Sequence, residues 1–392
     1  MKFICFHLMP WPYLPKDFVD RERSAWVTYS NSNYDPELGH ELYTRYIDEL
    51  CYAEEVGFDA IAVNEHHQTA YGLMPSPDLI AGMLVQRTKR AKIAILGNAI
   101  PLRDHPLRVA EEISMLDVIS GGRIISGFVR GIGPEYHSFT MNPSTSLERY
   151  QEAHDLIVKA WTEPGPFRWD GRHYQFNYVN PWPRPLQKPH PPVWVPSQGS
   201  GETIKWAAER KYTFLITFTQ FVNVEKYMKQ YREAAQELGY QADPEQMGWA
   251  VPVFVGKTDE DALERAGPHL DYLFNYLLKR PPSVFFPPGY LSESSTKAVL
   301  RAYGPLGLER FTVEQLNSDG QVIVGSVETV RQRLQDAIDK TGIGWLVPLM
   351  HFGTMPADMT RENLDRFAEG IMNPLRDYVS AIYEPSAAAA TS

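Results

Sequence analysis

Eight short apolar runs alternate along this chain with stretches of helical periodicity. The runs fall at 2–9, 60–63, 92–99, 123–128, 192–195, 212–218, 248–255 and 345–350. They are continuous rather than alternating, which is the pattern of strands buried on both faces. Apolar residues recur at helical spacing over 40–56, 77–88, 106–119, 147–161, 202–210, 224–238, 259–278, 327–340 and 361–378. Parallel strands need a crossover, and a helix supplies it. Eight such units predict an α/β chain folded as a (β/α)8 TIM barrel, in preference to an open doubly wound sheet.

Composition excludes other classes. The 392 residues are 43% hydrophobic and 22% charged, which suits a globular protein rather than a disordered one. A net charge of −10 offers no basic face for nucleic acid. Two cysteines, Cys5 and Cys51, make no disulfide framework and point to a reducing, cytoplasmic setting. No apolar stretch approaches the ~20 residues that span a bilayer, and no signal peptide is evident.

The 31 prolines are in excess and are not evenly spread. Nine lie between Pro164 and Pro196 and four between Pro281 and Pro288. Aromatic residues share both stretches. The expected organisation is one barrel domain over 1–380 with a flexible tail over 381–392. Loop insertions after strands four and seven, at about 163–191 and 280–317, would lie on the mouth side.

In a (β/α)8 barrel the chemistry gathers at the C-terminal ends of the strands. That topology selects His7, Asn64-Glu65-His66-His67, Gly97-Asn98, Val129-Arg130-Gly131, Ser197–Gly201, Thr217 and His351. Imidazole titrates near neutrality and serves as general base or donor. A metal at His66 or His67 would need ligands from elsewhere, and none is assigned. Gly131-Ile-Gly133 lacks the third glycine of a dinucleotide fingerprint. An arginine beside glycine can instead grip a phosphate, and the turn before 202–210 offers backbone N–H groups and hydroxyls at a helix N-terminus. Arg130 and that turn together would hold one phosphate over the mouth.

These residues resemble the bacterial luciferase-like family of flavin-dependent monooxygenases. The resemblance runs through Glu65-His66-His67, Arg87-Thr88-Lys89 and His105-Pro106. It continues through Leu116–Arg123, Gly127–Gly131, Lys188–Val195, Glu202–Ala208 and Val324–Val330. It covers nearly the whole chain in order and spacing.

The resemblance implies a barrel that binds FMN at its mouth, usually as a dimer, here a homodimer. It implies His66 as the active-site histidine with Glu65 as the buried acid beside it. Arg130 is the implied flavin-phosphate ligand, with Ser200 and Thr203 at a helix N-terminus, Thr217 at a hydroxyl position and Arg149 as a further phosphate candidate. Gly97 falls near a non-prolyl cis peptide under the flavin ring, with Asn98 beside it. Light-emitting members carry a reactive cysteine where this chain has Val129, so light emission is not expected.

The implied chemistry has two components. A separate flavin reductase supplies FMNH2, which reacts with O2 to a C4a-(hydro)peroxyflavin that oxygenates a small, fairly apolar substrate. Trp11, Tyr13, Tyr71, Phe218 and Phe352 are aromatic candidates near the mouth, and 280–295, with Phe285, Phe286 and Tyr290, is the candidate lid. Other readings of the same fold are an F420-dependent oxidoreductase and a non-catalytic flavoprotein or silent subunit.

Overall fold

The computed structural model describes residues 1–279, 281–290 and 310–383. Its strands, in chain order, are β1 (Lys2–Phe6), β2 (Ala60–Val63), β3 (Lys92–Ala99) and β4 (Ile124–Val129). Then come β5 (Phe167–Asp170), β6 (Gln175–Val179), β7 (Val193–Ser197), β8 (Thr213–Thr217), β9 (Met247–Gly256), β10 (Ile323–Ser326) and β11 (Trp345–Leu349). Eight of them close a parallel barrel in the order β1-β2-β3-β4-β7-β8-β9-β11, with β11 pairing back onto β1 through Lys2 opposite Trp345. This is the (β/α)8 architecture expected from the eight apolar runs.

The continuous runs have a plain cause. Every residue of β2, β9 and β11 is buried, because one face meets the barrel interior and the other meets the helices. Inside, Trp194 meets Trp345 edge to face at 5.1 Å and Phe6 lies 6.4 Å from Phe218. Outside, Phe3 packs at 5.9 Å on Phe367 of the helix Ala357–Phe367.

Local chemistry sets the helix ends. The helix Pro36–Glu55 starts with proline behind Asp35, whose carboxylate accepts from the N–H of Glu37 and Leu38. It begins four residues earlier than the apolar spacing predicts, because its first turn is polar. The helix Leu107–Ser120 stops at Gly121, which takes the left-handed conformation (φ 69°).

Several elements escape the apolar pattern. β5 and β6 form an antiparallel hairpin within the first proline-rich insertion, paired only with each other. They are short and half-exposed, so no apolar run marks them. β10 pairs with the outer half of the ten-residue β9 (Val253–Gly256), beyond where β11 pairs. The turn of helix Gly133–Ser138 follows β4 directly. Of the second insertion, 280 and 291–309 lie outside the described residues. No helix among those described is long and apolar enough to cross a membrane.

Candidate active site at the barrel mouth

Beyond β2 the chain leaves regular structure, and neighbouring side chains find separate partners. Glu65 is fully buried and accepts from the backbone N–H of Ala99 (3.2 Å) and from Arg103 Nη2 (2.8 Å). Its other oxygen lies 2.6 Å from His67 Nε2. The acid on His66 is Glu135, whose Oε1 stands 2.8 Å from His66 Nδ1. The sequence reading has Glu65 as the buried acid beside His66; it is buried there, but the histidine it holds is His67. Glu65 ties the ends of β2 and β3 together, while Glu135 reaches over from the helical turn after β4.

A carboxylate at Nδ1 makes that nitrogen the donor and leaves the ring's lone pair on Nε2. The second oxygen of Glu135 accepts from the N–H of Ile132 (2.8 Å), which holds the acid in place. Trp26 and Tyr71 meet the His66 ring edge-on, each at 5.0 Å.

The Leu96–Gly97 peptide is cis, at the place where the resemblance implies such a bond. A Cβ at Gly97 would stand 2.4 Å from the carbonyl oxygen of Gly127, and one at Gly127 2.3 Å from that of Ile95. Two facing glycines thus let β3 and β4 meet backbone to backbone. Next to them Asn98 Nδ2 donates to Asp78 Oδ2 at 2.9 Å. Burial, with Glu112 and Glu65 nearby, pushes the Asp78 carboxyl up to about 7. Oδ1 of Asn64, Asp78 and Asn98 are buried without a hydrogen bond among the described residues.

Arg130 lies one residue past β4. Its guanidinium carbon sits 4.1 Å from the ring centre of Tyr290, and its Nη2 donates to the carbonyl of Tyr290 at 3.0 Å. β7 is the barrel neighbour of β4, and Ser200 follows β7 at the N-cap of the helix Gly201–Glu209. The Ser200 hydroxyl caps nothing within the helix, and a Cβ at Gly201 would meet no atom within 4 Å. Thr203 is in the first turn. Thr217 ends β8, the next strand, with Oγ1 3.4 Å from the Ser197 carbonyl. Arg130, Ser200 and Thr217 so lie at or just past the ends of three consecutive barrel strands along one rim. Arg149 is employed differently. It donates to the carbonyls of Pro101 (3.0 Å) and Arg103 (3.2 Å) and lies 4.8 Å from the ring centre of Tyr174. It fastens the loop after β3 to the hairpin insertion.

His7, Glu49 and His351 form a buried group with metal-ligand chemistry. Its geometry opposes a metal. His7 Nδ1 accepts from the N–H of Met9 (2.8 Å), so Nε2 carries the hydrogen that points to Glu49, 3.0 Å away. The His7 and His351 rings stack 4.7 Å apart within 10° of parallel, so no ion lies in both ring planes. Arg45 supplies the positive charge, 2.7 Å from Glu49 and 3.2 Å from His351. The group fastens the loops after β1 and β11 to the helix Pro36–Glu55. Burial pushes both imidazoles below the ordinary histidine value, His351 furthest.

The profile of the luciferase-like monooxygenase family matches residues 25–343. The chain belongs to this family. An uncharacterized protein of Sinorhizobium fredii is 30% identical over 336 residues, which are 82% of this chain and 90% of that protein. The oxygenase component of the flavin-dependent trigonelline monooxygenase of Acinetobacter baylyi is 26% identical over 367 residues, 89% and 96% of the two chains. The oxygenating constituent of 3,6-diketocamphane monooxygenase of Pseudomonas putida, solved with FMN, superposes with a TM-score of 0.69. It is 20% identical and covers 95% of this chain and 98% of that one.

A bound FMN would need room for a flat ring and donors for one phosphate. The bare glycine contact of β3 and β4 suits the first. Arg130 and the open first turn of helix Gly201–Glu209 suit the second. Two site residues escaped the sequence reading, Glu135 and Asp78. Each sits behind a proline in a helix's first turn, Pro134-Glu135 and Pro77-Asp78, a signal that marks helix starts rather than chemistry.

Proposed function

We propose that this protein is the oxygenase component of a two-component, FMNH2-dependent monooxygenase. The observation that carries the reading is the His66–Glu135 pair at the same mouth as the glycine-lined contact of β3 and β4 and the arc Arg130, Ser200, Thr203 and Thr217. When bound, the reduced flavin would supply the activation of O2 and the transfer of its oxygen to substrate. The chain's own residues do the rest. Arg130 and the N–H groups of the first turn from Gly201 would hold the phosphate, with Ser200, Thr203 and Thr217 adding hydroxyls. Gly97 would leave room for the ring, with Asn98 anchored behind it on Asp78. His66 exchanges a proton at Nε2 while Glu135 holds its Nδ1–H, and Glu65 keeps the rim closed through Arg103 and His67. Trp26, Tyr71 and Trp11, all buried, make an apolar wall that suits a fairly apolar substrate and limits water.

Charge favours FMN over F420. Among the described residues of this rim, Arg103 is engaged by Glu65 and Arg149 by two carbonyls, while Arg130 gives one N–H to the Tyr290 carbonyl and keeps the others for an anionic group. One such cation matches one phosphate better than a polyanionic tail. FMNH2 would reach the site from a separate reductase.

Leu79 and Met83 are exposed on the helix Pro77–Arg87, and Met115, Val118 and Ile119 on the neighbouring helix Leu107–Ser120. This apolar face supports a homodimer.

Stopped-flow mixing of the protein–FMNH2 complex with O2 tests the function. A long-lived oxygenated phase, shortened by a substrate panel, is expected. Immediate return to oxidised FMN with H2O2, indistinguishable from free flavin, would overturn the reading.

A further inference from the structure

Segment 281–290 docks on the turn after β4 instead of standing clear of it. A Cβ at Gly133 would lie 2.0 Å from the Val284 carbonyl and 2.6 Å from Pro287, so the two backbones are in direct contact. Phe285 is buried. Tyr290 then makes four contacts on the residues around Arg130. Its ring stacks on the guanidinium at 4.1 Å, and its carbonyl accepts from Nη2 at 3.0 Å. Its hydroxyl donates to the Gly131 carbonyl at 2.5 Å, and its ring lies 5.8 Å from Tyr136, which donates to the Arg130 carbonyl at 2.5 Å.

We propose that Tyr290 is a positioning residue for Arg130, setting its N–H edge toward a phosphate at the mouth. This rests on the phosphate role given above to Arg130. An arginine on a long side chain loses much conformational freedom when it grips an anion. An aromatic ring against its flat face removes that freedom beforehand and leaves the N–H edges to face the ligand. The carbonyl of Tyr290 takes one of five N–H groups and fixes rotation about the chain axis. A phosphate bound to the remaining edge would add to both contacts.

The test compares binding of FMN and riboflavin, which differ only in the phosphate. Tyr290→Leu is expected to weaken FMN about 3- to 30-fold, the range of a cation–π contact, and to leave riboflavin unchanged. Tyr290→Phe keeps the ring and is expected to retain most of the preference. In an Arg130→Ala background, Tyr290→Leu is expected to add nothing. Loss of affinity for both ligands alike would reduce Tyr290 to a structural residue, and tighter FMN binding would make it a blocker; either overturns the proposal. An unchanged FMN preference in Tyr290→Leu also overturns it while the phosphate role of Arg130 stands. If wild type shows no preference for FMN over riboflavin, that role fails and the proposal with it.

Discussion

His66 gives its Nδ1–H to Glu135, a carboxylate 69 positions further along the chain, across 2.8 Å. The pair joins the ends of β2 and β4 over the intervening end of β3. A fixed tautomer leaves the lone pair on Nε2, whereas an unpartnered imidazole divides its time between two forms.

Substituting either member should therefore lower turnover without removing the flavin. His66→Ala is expected to lower kcat about 10²- to 10⁴-fold, the usual contribution of general acid–base catalysis. Glu135→Gln should act through the pH profile of kcat, with FMN affinity unchanged. A His66→Ala enzyme with wild-type turnover would remove the histidine from the mechanism.

Asp78 links stability to pH in the opposite direction from an ordinary carboxylate. Its folded value of about 7 lies above the ordinary aspartate value. The unfolded chain releases this proton first, so stability falls as pH rises from about 4 to about 7. Asp78→Asn keeps an oxygen for Asn98 Nδ2 and cannot ionise. Urea unfolding between pH 5 and pH 8 should show the variant losing less stability than wild type. Equal slopes would show that Asp78 ionises freely in the folded protein.

His7 and His351 act on the acid side. Both are buried with folded values below that of the unfolded chain. Their stabilising effect is complete above about pH 6.5 and is lost as pH falls below it, because the unfolded chain then takes up protons that the folded one refuses. His351→Asn keeps a polar atom toward Thr360, which lies 3.0 Å from His351 Nδ1, and should flatten the loss of Tm between pH 7 and pH 5. A variant as acid-sensitive as wild type would place the effect elsewhere.

The glycine contact of β3 and β4 leaves no room to adapt. Gly97→Ala would set a methyl 2.4 Å from a backbone oxygen, where neither side can yield cheaply. A loss of at least 1–3 kcal/mol, typical of overpacking, is expected in urea unfolding, with weaker FMN binding. A variant as stable and as tight as wild type would show that the two strands separate easily.

The exposed apolar face calls for a charge. Leu79→Asp with Ile119→Asp, both residues more than half exposed, should shift sedimentation from dimer to monomer with the fold intact. An unchanged assembly, or a wild type that is monomeric, would reassign that face.

The barrel was legible in the chain because burial on both faces makes each parallel strand a continuous apolar run. Helix starts and stops were legible where a cap residue marks them, as Asp35-Pro36 and Gly121 do. His66, Gly97 and Arg130 were reached by their places at strand ends and by family resemblance. The hairpin Phe167–Val179 was not, since two short half-exposed strands carry no apolar signature. Nor was β10, which borrows its pairing from the outer half of β9.

Sequence by itself determined eight strands, their order and which end of each could carry chemistry. Only the tertiary structure decided who pairs with whom at that end. Glu65 stands next to His66 in the chain and serves His67 and Arg103, while Glu135, remote in sequence, takes His66. Arg149 has the charge for a phosphate and is held by two carbonyls, while Arg130 is held by a tyrosine 160 positions away. The reason is geometric. Strand and helix periodicities are local and repeat along the chain, whereas a hydrogen bond needs two atoms within about 3 Å, and barrel closure brings remote loops that close.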